Sequence, residues 1–177
     1  MRKAIVYIAV SLDGFIADKK GGVGWLVGDG SDPANPGSYP DFVEGVDTVL
    51  LGYTTYHQIV SELSPNAWPY DGKETYVLTH RSLPNKPGIA FVNEEVGSLL
   101  GRLKKQTGKS VWICGGASLV NQALAAKQVD EIVVSVMPVL LGDGVRLFEP
   151  GDIGTKLALS SAKPYNGVVD LDYRVIG

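Results

Sequence analysis

The stretch SVWICGGASLVNQALAA at residues 110–126 joins an apolar strand to a helix and indicates an α/β fold. Gly115 and Gly116 form the turn between the two elements. Paired glycines let a backbone approach a ligand closely, and a helix start offers free N–H groups to an anion such as a pyrophosphate. The same glycines also suit an ordinary tight turn. The fingerprint G-x-G-x-x-G does not follow the first strand, which argues against an ordinary Rossmann domain.

Outward from this stretch, strand and helix patterns alternate along most of the chain. Apolar runs predict strands at residues 4–10, 46–51, 75–78, 89–92, 110–114 and 131–139. Four helices are predicted. The first begins at Pro40, and the second is indicated by an apolar stripe of Tyr56, Ile59, Val60 and Leu63. The third runs from an N-cap at Asn93 to Lys105, and the fourth covers residues 117–126. A long glycine-rich loop covers residues 11–37.

The C-terminal segment changes to a β-hairpin pattern. Asn166-Gly167 is a strong turn signal, and Val169, Leu171, Tyr173 and Val175 alternate with Asp170, Asp172 and Arg174. This alternation predicts an antiparallel hairpin with one buried apolar face. The pattern contains no internal repeat and no linker, so we expect one α/β domain over residues 1–177.

Composition excludes several classes of protein. The 177 residues carry a net charge of −3 and are 45% hydrophobic, which argues against a nucleic-acid binder and for a full core. One cysteine and two histidines argue against a disulfide and a metal site. The longest mainly apolar run, residues 132–141, contains Pro138 and is too short to cross a membrane. No signal-peptide pattern follows the N-terminus, so we expect a cytoplasmic protein.

Two further strand ends carry groups suited to phosphate. Gly52 ends the second strand, and Thr54 and Thr55 place two hydroxyls at the following helix start, where they fit either a phosphate or ordinary N-capping. Residues 78–81, which are Leu78, Thr79, His80 and Arg81, follow the third strand. Arg81 is a bidentate phosphate ligand in type, although an arginine in a surface loop commonly has no role. Open α/β sheets bind ligands at the carboxyl ends of their strands, which favours a shared anion site.

The first strand is followed by SLDGFIA at residues 11–17. Asp13 fits a functional carboxylate, and it equally fits a turn-fixing role before Gly14.

Taken in order, these segments resemble the dihydrofolate reductase superfamily. The resemblance is greatest to the reductase (C-terminal) domain of the bifunctional riboflavin-biosynthesis deaminase/reductase and its stand-alone bacterial relatives. It rests on SLDGFIA at 11–17, VDTVLLGYTTY at 46–56, GGA at 115–117, VDEI at 129–132, PVLLGDG at 138–144 and LF at 147–148.

The resemblance implies a three-layer α/β/α fold with a mixed, mainly parallel sheet of about eight strands, and NADPH bound across the strand ends. It places Gly52, Thr54 and Thr55 on a cofactor phosphate and residues 79–81 near the adenosine phosphate. The pyrophosphate would lie at residues 115–119, which are Gly115, Gly116, Ala117, Ser118 and Leu119. Ala9 and Ile16 would flank the nicotinamide.

Three positions depart from the family pattern. Tyr53 stands where the family usually has Arg, which leaves Arg81 as the candidate replacement. True folate reductases carry a carboxylate a short distance after a Trp, whereas the loop from Trp25 to Asp41 is longer here. They also carry a Tyr in the helix after Gly-Gly, where this chain has Val120. These differences disfavour folate reduction proper.

The implied activity is hydride transfer to a pterin-like or ribosylaminopyrimidine ring. Asp41 or Asp13 would orient the ring's N–H groups or support proton delivery. Trp25, Tyr39 and Phe42 fit the wall of a ring site, and they equally fit lid or core packing. Ser135 aligns with a substrate-side hydroxyl, although a serine in a buried strand commonly bonds to backbone. The alternative functions are a folate reductase and a nucleotide-binding protein without turnover.

Assembly is predicted from the late strands. The apolar run at residues 132–141, followed by Val145, Leu147 and Phe148, resembles an edge that another chain covers. Relatives in this group commonly pair through these strands, so we expect a homodimer. A central strand in a monomer would show the same run.

Overall fold

A mixed eight-stranded sheet forms the centre of the computed structural model, which describes residues 1–151 and 154–176. The strand order is β5-β4-β3-β6-β1-β7-β10-β9, in which only β10 and β9 run antiparallel to their neighbours. The strands are β1 Ala4–Ser11, β2 Phe15–Ala17, β3 Val46–Gly52, β4 Glu74–Leu78, β5 Ile89–Val92, β6 Ser110–Gly115, β7 Glu131–Met137, β8 Val145–Arg146, β9 Lys156–Tyr165 and β10 Val168–Ile176. The helices are α1 Tyr39–Glu44, α2 Tyr53–Gln58, α3 Val96–Lys104 and α4 Ala117–Ala125, with a π-helical segment at Ile59–Leu63.

Helices cover both faces of this sheet, which confirms the predicted three-layer α/β/α fold. On one face, Leu99 and Leu103 of α3 and Val120 of α4 pack with Val6 and other strand residues. On the other face, α1 and α2 contribute Phe42 and Tyr56 to a cluster that includes Trp112. Each fully buried leucine of this kind stabilises the fold by about 1.5–3 kcal/mol relative to exposure.

Two of the predicted helices differ in detail. Asn93 does not cap α3, which begins at Val96 with Glu95 at the N-cap. The Asn93 side chain instead meets His80, with 3.0 Å between Oδ1 and Nδ1. The helix after Gly52 passes into the π-helical segment, whose wider turn rotates later residues away from the apolar stripe. Leu63, predicted on that stripe, is therefore 55% exposed.

The predicted loop at residues 11–37 contains a short strand, because β2 pairs with β8 far along the chain. Local sequence does not reveal this pairing.

The C-terminal hairpin is confirmed, but the predicted division into a buried apolar face and a polar face is wrong. Asp170 is only 2% exposed, while Leu157 and Leu159 are 41% and 58% exposed. The reason is that β9 is the edge strand, whereas the loop before α1 covers Asp170 and supplies donors to it.

The prediction that residues 132–141 form an exposed edge of the sheet is also wrong for the part of this run that lies in β7. β7 lies between β1 and β10, so both of its edges are paired. The run is almost continuously apolar because a central strand is covered on both faces of the sheet. Within the described residues, no helix is long and apolar enough to cross a membrane.

Candidate active site

The carboxyl ends of β3, β4 and β6 bring three of the predicted segments together. Leu51 pairs with Gly115 across β3 and β6, and Gly52 pairs with Leu78 across β3 and β4. Neighbouring strands lie about 4.8 Å apart, so the three turns after these strands lie side by side.

The glycine turn and the start of α2 are in close approach. A Cβ atom on Gly116 would stand 3.4 Å from Oγ1 of Thr55, and one on Gly52 would stand 3.7 Å from the nitrogen of Gly116. Gly52 is the N-cap of α2, and among residues 1–151 and 154–176 no side-chain hydrogen bond caps that helix. The capping role considered for Thr54 and Thr55 is therefore not what the structure shows, and their hydroxyls remain available at the turn.

α4 begins directly after this turn and presents its first backbone amides at the same edge of the sheet. Gly116 is its N-cap, so the helix starts with N–H groups that lack partners one turn back. Ala117 and Leu119 bury their side chains in or against the core, while Ser118 is exposed. The predicted anion cradle thus consists mainly of backbone N–H groups and the Thr55 hydroxyl.

Arg81 is held over the aromatic ring that replaces the usual arginine. Its guanidinium carbon lies 4.6 Å from the centroid of the Tyr53 ring, a favourable cation–π contact. The backbone N–H of Arg81 also donates to Oγ1 of Thr79 at 3.1 Å. The guanidinium of Arg81 thus lies next to position 53, and its role in place of the family's arginine stays a prediction.

A second group of side chains lies across β1, β7 and β10. Ala9 pairs with Ser135, and Ser135 pairs with Asp170, so the three side chains share one face of the sheet in one row. The Ser135 hydroxyl donates to Oδ1 of Asp170 at 2.6 Å. The alternative interpretation of Ser135 expected a hydrogen bond to backbone. The structure shows a bond to a buried carboxylate instead.

Asp170 is the residue that sequence reasoning missed. Its carboxylate also accepts hydrogen bonds from the backbone N–H of Ser38 at 3.1 Å, from the Ser38 hydroxyl, and from the Tyr165 hydroxyl at 3.1 Å. Ser38 is the N-cap of α1, yet its side chain does not cap that helix. An N-cap serine drawn away from its helix is the kind of local inconsistency that marks a site, but it is visible only in the structure.

Aromatic rings cover this row from the α1 side. Tyr7 stacks on Phe42 with 4.4 Å between ring centroids, and Tyr39 and Phe42 both meet Trp112 edge-on. Among the described residues, the ring contacts of this cluster do not include Trp25, whose indole N–H donates to the carbonyl of Gly22 at 3.1 Å. Of the three predicted wall residues, two are brought together and Trp25 belongs to the preceding loop.

Two of the phenols near Asp170 keep their protons at neutral pH. Burial raises the pKa of Tyr165 to about 12, with a further contribution from the Asp170 charge. Burial likewise raises the pKa of Tyr7. Both hydroxyls therefore serve as neutral hydrogen-bond donors.

The two predicted catalytic carboxylates differ in their surroundings. Asp41 is exposed in the first turn of α1, next to Phe42. Asp13 accepts bonds from the Ser11 hydroxyl at 2.6 Å and from the backbone N–H groups of Leu141 and Gly142 at 3.1 and 2.7 Å. These bonds lower the pKa of Asp13 to about 2, and the bond from the Ser11 hydroxyl has the largest effect. Asp13 thus ties the turn after β1 to the segment after β7, and the catalytic role of either carboxylate stays a prediction.

The remaining predicted residues, Ala9 and Ile16, lie in β1 and β2. Ala9, near the end of β1, is partly exposed. Ile16 of β2 is half-buried and packs against the core that α3 and α4 cover. Across residues 1–151 and 154–176, no group of three or more His, Cys, Asp or Glu side chains could hold a metal ion.

Comparison with known proteins agrees with this architecture. Residues 2–170 match the model of the RibD C-terminal domain. The chain is 40% identical over 175 residues to the uncharacterized protein YwjB of Bacillus subtilis (strain 168), covering 97% of each chain.

Solved structures share the fold over nearly the whole chain. A putative riboflavin biosynthesis protein from Shewanella sp. PV-4 is 27% identical, with a TM-score of 0.82 and 99% of both chains covered. A dihydrofolate reductase from Enterococcus faecalis, complexed with NADP(H) and RAB-propyl, is 17% identical, with a TM-score of 0.69 and coverage of 99% of this chain and 97% of that one. This last likeness shows the fold alone. With a family match from residue 2 to residue 170 and a 40% identical relative of the same length, the chain belongs to the RibD C-terminal domain family.

Proposed function

We propose that the chain is an NADPH-dependent reductase of the cytoplasm, which reduces a pterin-like or ribosylaminopyrimidine ring. The observation that carries the proposal is the close approach of the Gly115–Gly116 turn to Gly52 and Thr55, where a Cβ on Gly116 would stand 3.4 Å from the Thr55 hydroxyl oxygen. Membership of the RibD C-terminal domain family supports a reductase, and the fold shared with a dihydrofolate reductase solved with NADP(H) is compatible with this cofactor.

The residues present fit this cofactor. The backbone of residues 115–119, together with Gly52, Thr54 and Thr55, would hold the pyrophosphate, because amides and hydroxyls at strand ends suit an anion. Residues 78–81 would lie along the adenosine, with Arg81 toward its phosphate. Ala9 and Ile16 would flank the nicotinamide, which supplies a hydride when the cofactor is bound.

The protein's own groups would then position the substrate. Tyr39 and Phe42 would face a planar ring, with Trp25 closing from the loop, because aromatic rings pack well on planar heterocycles. Ser135 would meet the ring's polar edge. Asp41 would orient ring N–H groups or support proton delivery, with Asp13 as the competing carboxylate.

The test is a titration with NADPH followed by an oxidation assay at 340 nm, a wavelength that reports the reduced nicotinamide. Candidate substrates are dihydropterins, dihydrofolate and a ribosylaminopyrimidine. Oxidation dependent on a pterin or pyrimidine supports the proposal, and activity confined to dihydrofolate would support the folate reductase alternative. Binding of NADPH without oxidation by any of them would identify a nucleotide-binding protein instead.

Arg81 is expected to set the preference for NADPH over NADH. Arg81→Ala should weaken NADPH binding by about 10-fold or more, because a hydrogen-bonded charge pair contributes about 1.5–3 kcal/mol. Binding of NADH, which lacks the 2′-phosphate, should change little. Dissociation constants for both nucleotides provide the measurement. Arg102→Ala is a matched control, since the guanidinium carbon of Arg102 on α3 lies 6.0 Å from the centroid of the Tyr76 ring on β4, a contact of the same kind. Equal affinity of the parent protein for both nucleotides would contradict the prediction.

We also propose a homodimer. Because β7 is central in the sheet, the proposal is based on exposed side chains outside β7. Leu140, Phe148 and Leu159 are 68%, 44% and 58% exposed, and within the described residues β9 pairs with β10 on one side and forms an edge of the sheet on the other. Light scattering should give about twice the chain mass of 18.9 kDa. Leu159→Lys should shift the mass toward the monomer, whereas Leu63→Lys, a change at a leucine of similar exposure, should not. A monomeric parent protein at micromolar concentration would defeat the proposal.

A further inference from the structure

The carboxylate of Asp170 is surrounded entirely by donors. The Ser135 and Tyr165 hydroxyls donate to Oδ1, and the Ser38 hydroxyl and backbone N–H donate to Oδ2. An ionised carboxylate accepts hydrogen bonds and donates none, and a hydroxyl has a single proton. All three hydroxyls therefore direct their protons toward Asp170.

Tyr7 extends this ordering by one more hydroxyl. Its oxygen lies 3.1 Å from Oγ of Ser38. Because the Ser38 proton already points to Asp170, Ser38 can only accept, and Tyr7 must donate. Four hydroxyls thus have their protons committed in one direction. What they offer to any other molecule is lone pairs alone.

The ordered hydroxyls lie beside the position expected for a ligand ring. Ala9, Ser135 and Asp170 form one row across three adjacent strands, so Ala9 and Asp170 are about 10 Å apart. Ala9 is partly exposed, whereas Ser135 and Asp170 are buried. A substrate ring lying against the nicotinamide expected at Ala9 would therefore turn an edge toward the Ser135 hydroxyl and the hydroxyls behind it.

We infer that this network makes the subsite beside Ala9 an acceptor-only surface, which selects planar heterocycles whose edge carries N–H donors. The 2-amino group and the adjacent N3–H of a pterin or of a 2-amino-4-oxopyrimidine are two such donors, and a ring edge with only acceptors has none. Asp170 is a positioning residue here, since it acts by fixing hydroxyl protons. The inference rests on the proposed function for the location of the ring.

The selectivity follows from the cost of unpaired groups. An acceptor edge facing these hydroxyls would leave lone pairs opposed on both sides, with no proton available between them. A donor edge would satisfy them. Discrimination by missing partners of this kind is stronger than discrimination by shape alone.

The experiment compares two neutral probes, pterin and 2,4-dimethoxypteridine, which share the ring but differ at the edge. Fluorescence titration should show that the parent protein binds pterin at least about 10-fold more tightly. Asp170→Asn should reduce that ratio to within about twofold, because the amide nitrogen donates and so frees hydroxyl protons. Asp172→Asn, two residues along the same strand face, is the matched control and should keep the ratio.

The readouts separate this inference from the proposed function. NADPH affinity should be unchanged in Asp170→Asn, since the network lies away from the glycine turn. Pterin preference in a protein that fails to bind NADPH would leave the inference standing and remove the proposed function. Equal binding of the two probes by the parent, or an unchanged ratio in Asp170→Asn, would overturn the inference.

A second variant keeps the test decisive if Asp170→Asn does not fold. Ser135→Ala removes one acceptor oxygen while leaving the Ser38 and Tyr165 bonds to Asp170 in place. Its pterin preference should fall below that of the parent, with unchanged NADPH binding. A preference equal to that of the parent would count against the acceptor surface.

Discussion

Replacing Gly116 with valine is expected to weaken NADPH binding by at least about 100-fold, which corresponds to about 2.7 kcal/mol. Even the Cβ would stand 3.4 Å from Oγ1 of Thr55, and the valine methyl groups would extend into the turn. A phosphate could then no longer reach the first amides of α4. Dissociation constants from fluorescence titration provide the measurement.

The fold should survive this change, because Gly116 has φ −81° and ψ −164°, a region that residues other than glycine adopt. Circular dichroism and a melting curve check this point. Gly101→Val on α3 is the control, since the nearest atom to its Cβ is 4.0 Å away. If Gly116→Val unfolds, Thr55→Val tests the same cradle from the other side. Retained NADPH affinity in a folded Gly116→Val protein would remove this turn from the site.

Replacing Asp41 with asparagine is expected to lower turnover of an accepted substrate by about 100-fold, the usual scale of acid–base assistance. Asparagine keeps the shape and most of the local helix start but removes the charge. NADPH affinity should therefore hold while kcat falls. Initial rates of NADPH oxidation, with the cofactor saturating, measure the effect.

Glu44→Gln removes an exposed carboxylate from the other end of the same short helix and should leave turnover unchanged. Asp13→Asn tests the competitor, whose three hydrogen bonds already hold the turn after β1. Loss of turnover in Asp13→Asn with normal rates in Asp41→Asn would move the role to Asp13. Normal rates in both would exclude these two carboxylates from catalysis.

The sequence predicted well those features that depend on neighbours along the chain. The order of strands and helices follows from apolar periodicity, and the Gly115–Gly116 turn is recognisable because strand, glycines and helix are contiguous. The hairpin around Asn166 and Gly167 is visible for the same reason. Each of these features needs no more than a dozen consecutive residues to specify it.

The tertiary structure decided which face of an element is covered and by what. Alternation on β10 shows that Asp170 and Leu171 point to opposite faces, but it does not show which partner lies over each. Asp170 is buried because donors arrive from Ser135, 35 residues away, and from Ser38, 132 residues away. Leu159 is exposed because β9 is the last strand of the sheet in the part of the chain that the structure describes. A single sequence records local periodicity, whereas the burial of a charge depends on distant groups that satisfy its hydrogen bonds.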